Sequence, residues 1–379
     1  MADAEYPGTL AEFDRWFATE AACRKYLAKL RWPAGFRCPG CESTEAWLTE
    51  RVLMHCKGCG RQVSVTAGTI FHGTRSSLRL WFQAMWWVTA QTNGASALGL
   101  QRILGLGSYE TAWTWLHKLR RAMVRPGRDL LSGEVEVDET FVGGIEEGGG
   151  RRHVGKKALV VVAAEVRGRG TGRIRLGRVL DSAAASILPF VRGAVAPGSL
   201  IITDSLPTYL VLPESGYGHR RLVIRGSGEN PDALLPRVHR VASLLKRWLL
   251  GTHQGAVDRE YLAYYLDEFT FRFNRRTSRS RGMLFYRLVQ QALAVDPVPY
   301  RILVGAIHAP KSGENEQQVK ERFDRECMEM LTMMGRPRAC GAARTLGVAV
   351  HSADARAGRA RSRVRHDQGR AGRRHACHH

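Results

Sequence analysis

The 379-residue sequence has no long hydrophobic run; stretches such as Ala158–Ala164 fall far short of the roughly 20 residues needed to cross a bilayer. The N-terminus, MADAEYPGTLAEF, lacks the basic and apolar regions of a secretory signal. Membrane and secreted readings are set aside, and a cytoplasmic location is expected. Acid is scarce: 35 Asp and Glu face 57 Lys and Arg, for a net charge of +22. That excess points to a polyanionic partner, nucleic acid first. It is not confined to the end of the chain. Gly335–His379 carries 11 Arg against 2 Asp, which leaves +13 for the first 334 residues. Cysteine is sparse too, with eight in all, and Cys23, Cys327, Cys340 and Cys377 are scattered. The other four form two CxxC pairs, which suggests metal rather than disulfides.

An apolar fraction of 44% excludes wholesale disorder and leaves room for two or three domains. Leu10–Leu30 reads as helical, with Phe13, Trp16, Phe17, Ala21 and Tyr26 near helical spacing. Cysteine-bearing loops follow, then a basic, aromatic helical stretch from about Ser77 to Val124. After the Pro126–Gly133 linker the period changes to that of strands. GEVEVDETFVGG, ALVVVAAEV and GRIRLGRVL read as strands, SAAASILPFVRGAV as a helix capped by Ser182, and SLIITDS and RRLVIR as strands. Helices are expected over about Pro236–Leu250 and Asp258–Asn274. This order indicates an α/β domain with a mixed sheet. Beyond about Met334 the chain is rich in Arg, Ala and Gly and reads as a disordered tail.

Cys38-Pro-Gly-Cys41 and Cys56-Lys-Gly-Cys59, separated by 14 residues, match a zinc ribbon. Four thiolates at tetrahedral geometry favour Zn²⁺ in a closed structural site, and Gly40 and Gly58 permit the tight backbone. His55 reads as a surface residue and Cys23 as a buried small hydrophobe.

Leu78–Thr92, Ser96–Leu104 and Ser108–Met123 form three helices with short turns, the pattern of a helix-turn-helix unit. Trp113, Leu116 and Leu119 give the third helix an apolar stripe, and His117, Lys118, Arg120 and Arg121 lie off it, placed for phosphate or base-edge contacts. Trp81, Trp86 and Trp87 read as core.

In VEVDETFVGG the alternation puts Val135 and Val137 on one face and Glu134, Glu136 and Asp138 on the other, where they meet solvent or cations. Asp204 ends the strand LIITDS, at the carboxyl edge where α/β sheets place their sites. Two carboxylates on adjacent strands are suited to holding Mg²⁺ ions for phosphodiester displacement, as in ribonuclease-H-like folds; a solvated strand face and a turn-capping Asp are the plain alternative. A third ligand comes from a later helix in such folds. Here that helix is PRVHRVASLLKRWLL, with Val238, Val241, Ala242, Leu245 and Leu249 as its apolar stripe and His239 and Lys246 along one flank.

Taken together, CPGC…CKGC, GTIFHGTRSSLRLWFQAMW, SYETAWTWLHKLRRAM, VEVDETFVGG, LIITDS, LLKRWLLGTHQG and YLDEFTFRFNRR resemble the IS1595-type (ISXO2-like) insertion-sequence transposases of the DDE superfamily, over about residues 8–305. The resemblance implies a zinc ribbon and a helical DNA-binding part ahead of a ribonuclease-H-like catalytic domain. It implies that Asp138 and Asp204 fill the first two acidic positions. The third position, often Glu or Asn in the family, carries His239 here; Glu229, Asn230, Asp232 and the more distant Glu268 are rivals. It further implies Mg²⁺ or Mn²⁺, double-stranded DNA as partner, action on the nucleoid, and a homo-oligomer when two element ends are brought together. Arg272, Arg275 and Lys246 join Lys118, Arg120 and Arg121 as expected DNA contacts.

The expected layout is an N-terminal helical segment (1–33), the ribbon (34–72), a helix-turn-helix-like segment (73–126), the catalytic domain (130–305) and a basic tail (306–379). Two other readings stay open: a non-catalytic zinc-ribbon DNA-binding protein, and a structure-specific nuclease on the same fold.

Overall fold

The computed structural model describes residues 5–125, 127–143, 157–222, 234–255 and 257–303. The expected basic tail and the rival ligands Glu229, Asn230 and Asp232 lie outside these. The single helix expected over Leu10–Leu30 is two, α1 (Leu10–Trp16) and α2 (Glu20–Arg31). Thr19 breaks them apart: it takes an extended conformation and accepts the Ala22 N–H as an N-cap. The ribbon that follows is an antiparallel sheet of β1 (Ala46–Leu48), β2 (Met54–Cys56) and β3 (Gln62–Val63).

Three helices come next, α3 (Leu78–Ala90), α4 (Ala97–Leu104) and α5 (Tyr109–Ala122). Each starts on a serine (Ser77, Ser96, Ser108) whose side chain accepts a first-turn N–H. Their core takes in Phe13 and Phe17 of α1 and Cys23 and Leu27 of α2. Trp81 and Trp86 are buried in it, as expected.

The second sheet holds β4 (Glu134–Val142), β5 (Ala158–Arg167), β6 (Gly170–Val179), β7 (Leu200–Thr203) and β8 (Gly218–Arg221) in the order β6-β5-β4-β7-β8. The first three form an antiparallel meander, and β7 and β8 run parallel to β4. A meander extended by crossover-linked parallel strands is the ribonuclease-H-like arrangement. Helices cover both faces. Val135 and Val137 pack with Ile187 and Val191 of α6 (Ala184–Ala194), while Val160, Val162 and Ile202 pack under α7 (Pro236–His253) and α8 (Leu262–Asn274). The N-cap of α6 is Ala183 rather than Ser182; Asp181 accepts the Ala183 N–H, and the Ser182 carbonyl accepts the Thr208 hydroxyl. The strand expected at RRLVIR begins earlier, at Gly218, and its last three residues lie outside the described ones.

The sequence reading did not resolve α9 (Arg281–Ala294). Capped by Ser280, it sends Phe285, Leu288, Val289 and Ala292 into the N-terminal helical core, completing it from beyond the second sheet in sequence. A four-residue helix, α10 (Tyr300–Leu303), follows. The aromatics of α8 divide between the two cores: Phe271 joins the helical one, whereas Phe269 and Phe273 join the sheet-facing one. That division explains why the three fit no single helical face.

Candidate active site and zinc ribbon

Asp138 sits mid-strand in β4. Glu136 pairs with Ile202 across the parallel β4–β7 ladder, so continuing the ladder by two residues brings Asp138 level with Asp204, just past the end of β7. Asp204 accepts the Leu206 N–H at 2.9 Å, which turns the chain away from the sheet. His239, on the first turn of α7, places Nε2 3.2 Å from Asp138 Oδ2. Burial raises the Asp204 carboxyl above its ordinary range and the negative charge of Asp138 adds to it, against the Leu206 N–H and His239. Lys246 is exposed two turns further along α7; burial of its stem lowers its pKa, while attraction to Asp138 opposes the shift.

Glu136 fixes this geometry. It shares the face of Asp138 but is only 2% exposed, and its carboxylate accepts the Arg237 N–H at 2.8 Å, the Val238 N–H at 3.1 Å and Arg237 Nη1 at 2.7 Å. One carboxylate thus satisfies first-turn donors of α7 and complements its dipole, holding His239 against the strand. Of the two fates open to the strand's acids, Glu136 meets a cation and Glu134 meets solvent, 46% exposed beside Arg220.

Glu139 and Tyr209 were not anticipated. Burial and the charges of Asp138 and Asp204 push the Glu139 carboxyl up to about 7, against a hydrogen bond donated by the buried Tyr209 hydroxyl. Only its place beside Asp138 could have drawn attention to it. Two carboxylates and an imidazole are a donor chemistry suited to a divalent cation. Their ligand atoms do not all lie within 4.8 Å of one another as the cysteine sulfurs do, so a cation bound here would have to draw Asp204 toward Asp138 and His239. His253 lies elsewhere, edge-on to Trp248 and Tyr265.

The four cysteines of the CxxC pairs converge, with all Sγ atoms within 4.8 Å of one another. Cys38 to Cys59 is 3.6 Å and Cys41 to Cys56 is 3.5 Å, close to the edge of about 3.8 Å that 2.3 Å Zn–S bonds give a tetrahedron. The residues therefore fit Zn²⁺. Among the described residues this is the only such group of three or more His, Cys, Asp or Glu. His55 stands outside it, stacked on Trp47 at 4.1 Å. Neither knuckle glycine has positive φ; Glu42 and Gly60 take the left-handed turns, and a Cβ on Gly58 would press on Ser43 at 3.0 Å.

The helical segment departs from a plain helix-turn-helix reading. Helix α5 is enclosed on most sides, with Thr114, Trp115, Leu116, His117, Leu119 and Arg120 all buried. Arg120, expected at DNA, is 2% exposed and bonds Glu268 at 2.8 Å with its guanidinium 3.9 Å over Tyr265. Arg272, also expected at DNA, bonds Glu268 at 2.7 Å and the carbonyls of Gln91 and Val88. Both are corrected to internal ion-pair residues, because their guanidinia are turned inward onto the buried Glu268 carboxylate, Arg120 with almost no exposed surface and Arg272 with further bonds to backbone carbonyls. Glu268 is corrected likewise: fully buried between these guanidinia, it cannot reach the Asp138 site. Lys118 and Arg121 remain half-buried on the flank of α5, and burial lowers the Lys118 pKa. Arg275 is half-buried over Phe271.

A ribonuclease-H-like sheet with carboxylates level on its central parallel pair, preceded by a four-cysteine ribbon, defines a class of DNA-acting proteins, the transposases with a DDE domain. Residues 130–274 match the ISXO2-like transposase domain, and residues 18–62 match the transposase zinc-ribbon domain. The chain belongs to the IS1595 family of insertion-sequence transposases. It is also 28% identical over 277 residues to an uncharacterized protein in the transposable element ISH50 of Halobacterium salinarum, covering 68% of this chain and 91% of that protein. No helix among the described residues is long and apolar enough to cross a membrane.

Proposed function

We propose that this protein binds the ends of an insertion sequence and carries out divalent-metal-dependent DNA cleavage and strand transfer. The observation that carries the reading is that the register of the parallel pair β4–β7 sets Asp138 and Asp204 level, with His239 of α7 3.2 Å from Asp138. These three side chains would hold Mg²⁺ or Mn²⁺. Such an ion, when bound, neutralises phosphate charge and favours the ionised form of an attacking hydroxyl. In cleavage, a water oxygen bonds to phosphorus as the bond to the 3′-oxygen breaks, leaving a free 3′-hydroxyl. In joining, that hydroxyl loses its proton to solvent and replaces the 3′-oxygen on a phosphorus of the target. No side-chain nucleophile is required.

Lys246, beside Asp138, supplies positive charge to the phosphate being exchanged. Lys118, Arg121 and Arg275 contribute further phosphate contacts. Because α5 has little free surface, base-edge reading of the ends falls mainly to other elements, the exposed ribbon first. The protein acts on the nucleoid, as a homo-oligomer when two ends are synapsed.

The test is strand transfer of a labelled oligonucleotide carrying the element's flanking repeat, with Mg²⁺ or Mn²⁺, comparing wild type with Asp138→Asn. Joined product that disappears in the variant is expected. Specific binding with no joining under either ion would favour a binding-only protein, and cleavage without joining or end preference a nuclease.

A further inference from the structure

A cleft of about 700 Å³ lies between the end of α5, the linker after it, β6, α8 and α9, away from the Asp138 site. Six arginines line it against two carboxylates, Asp129 and Asp267. Arg173 is held by Glu165 at 2.6 Å, Arg125 pairs with Asp129 at 3.2 Å, and Arg128 faces Asp267. The remaining three have no carboxylate within ion-pair distance among the described residues. Arg287 donates to Gln290 at 2.9 Å. Arg275 lies 4.1 Å over the Phe271 ring. Arg175, 5% exposed, donates to the carbonyls of Ile174 and Asp129, and its buried Nε has no partner. Gln291, 6% exposed, likewise leaves Oε1 unpartnered.

Uncompensated guanidinia gathered at one place are costly unless an anion joins them. Burial, then repulsion from Arg128 and Arg173, brings Arg175 down to about 10; burial with Arg287 and Arg125 does the same to Arg275. A fork of guanidinium donors matches phosphate, and an unpartnered acceptor such as Gln291 Oε1 matches a nucleobase N–H. Apolar walls from Met123, Met283 and Leu284 suit the face of a base. The volume falls within the 300–1,000 Å³ of small-ligand sites, too small for a duplex.

From this we infer that the cleft binds a nucleoside phosphate, with one or two nucleotides of a DNA strand as occupant. That choice of source rests on the transposase reading, in which DNA is the polyanion this chain handles.

The test is fluorescence-anisotropy titration of the full chain with a labelled single-stranded oligonucleotide, without divalent ions, over a range of salt. Arg275→Gln with Arg287→Gln is compared with wild type, and thermal melting confirms that both fold. Binding at least tenfold weaker is expected, with a salt slope smaller by about 1.4, that is, about 0.7 for each phosphate no longer neutralised. Unchanged affinity and slope would overturn the proposal. Millimolar adenosine monophosphate tests the source: displacement of the oligonucleotide from wild type alone assigns the cleft to free nucleotide, and no displacement assigns it to the strand. A 5-iodouracil oligonucleotide gives a readout independent of mutation, with photocrosslinks expected in α9 around Met283–Gln291; crosslinks confined to other elements would overturn the proposal. Asp138→Asn separates the two readings, since it is expected to abolish joining and leave this binding intact.

Discussion

Replacing Glu268 by Gln tests whether the helical segment is bolted to the DDE domain. The carboxylate is wholly buried and receives Arg120 Nε at 2.8 Å, Arg272 Nε at 2.9 Å and Arg272 Nη2 at 2.7 Å. Although burial favours the neutral acid, the attraction of Arg272 and Arg120 wins and brings the carboxyl down to about 2. Against an ordinary value near 4.3, that depression corresponds to about 3 kcal/mol of stability. Removing one partner of a buried ion pair costs about 3–5 kcal/mol in general, so two independent routes agree. Because the folded value is depressed, the stabilisation is complete above about pH 5 and lost as pH falls toward 2. Urea unfolding of wild type and Glu268→Gln at pH 7 is expected to differ by about 3 kcal/mol, with the gap closing below pH 4. A difference under about 1 kcal/mol at pH 7, or a gap that stays constant down to pH 3, would refute the reasoning.

Other perturbations address the remaining sites. If His239 is a ligand, wild type works relatively better with Mn²⁺, and His239→Glu shifts the Mn²⁺ to Mg²⁺ rate ratio several-fold toward Mg²⁺; an unchanged ratio counts against the imidazole as ligand. Cys38→Ser is expected to lower bound zinc from one ion per chain to none by metal analysis, while residues 130–274 keep their secondary structure by circular dichroism. An added Cβ at Gly282 would overlap the Pro7 carbonyl, so Gly282→Ala is expected to destabilise by about 1–3 kcal/mol in thermal melts and free the N-terminal segment to proteolysis. Burial lifts the Asp267 carboxyl to about 7 despite Arg128 and Arg121, so its contribution is fully present below about pH 4 and lost as pH rises through 7; Asp267→Asn is expected to flatten stability between about pH 4 and 7 in urea titrations.

Local pattern carried much of this architecture. Alternation in VEVDETFVGG produced β4 with Val135 and Val137 together on the face that packs against α6, because a two-residue period reports which residues share a face, though not that the other face is covered too. The CxxC knuckles are equally local, and their sulfurs converge. What sequence could not supply was enclosure from a distance. Arg120 lies off the apolar stripe of α5 and looks solvent-facing until Glu268, 148 residues away, closes over it. Glu136 was legible as a neighbour of Asp138, but its bond to the start of α7 spans 101 residues and depends on the packing of helix against sheet. The Leu284, Phe285, Leu288, Val289 and Ala292 spacing of α9, with Ser280 as cap, was readable at helical period; its destination in the N-terminal core was not.

That late helix has a consequence for synthesis. The first 125 residues leave the ribosome with an apolar surface that Phe271 of α8 and Phe285, Leu288, Val289 and Ala292 of α9 cover, so their core stays open until the whole DDE domain has been translated. A chain cut short before Arg281 therefore presents a sticky, unfinished N-terminal half rather than a free-standing DNA-binding fragment that would compete for element ends. The N-terminal helices and the DDE domain thus complete their folding together, as one unit.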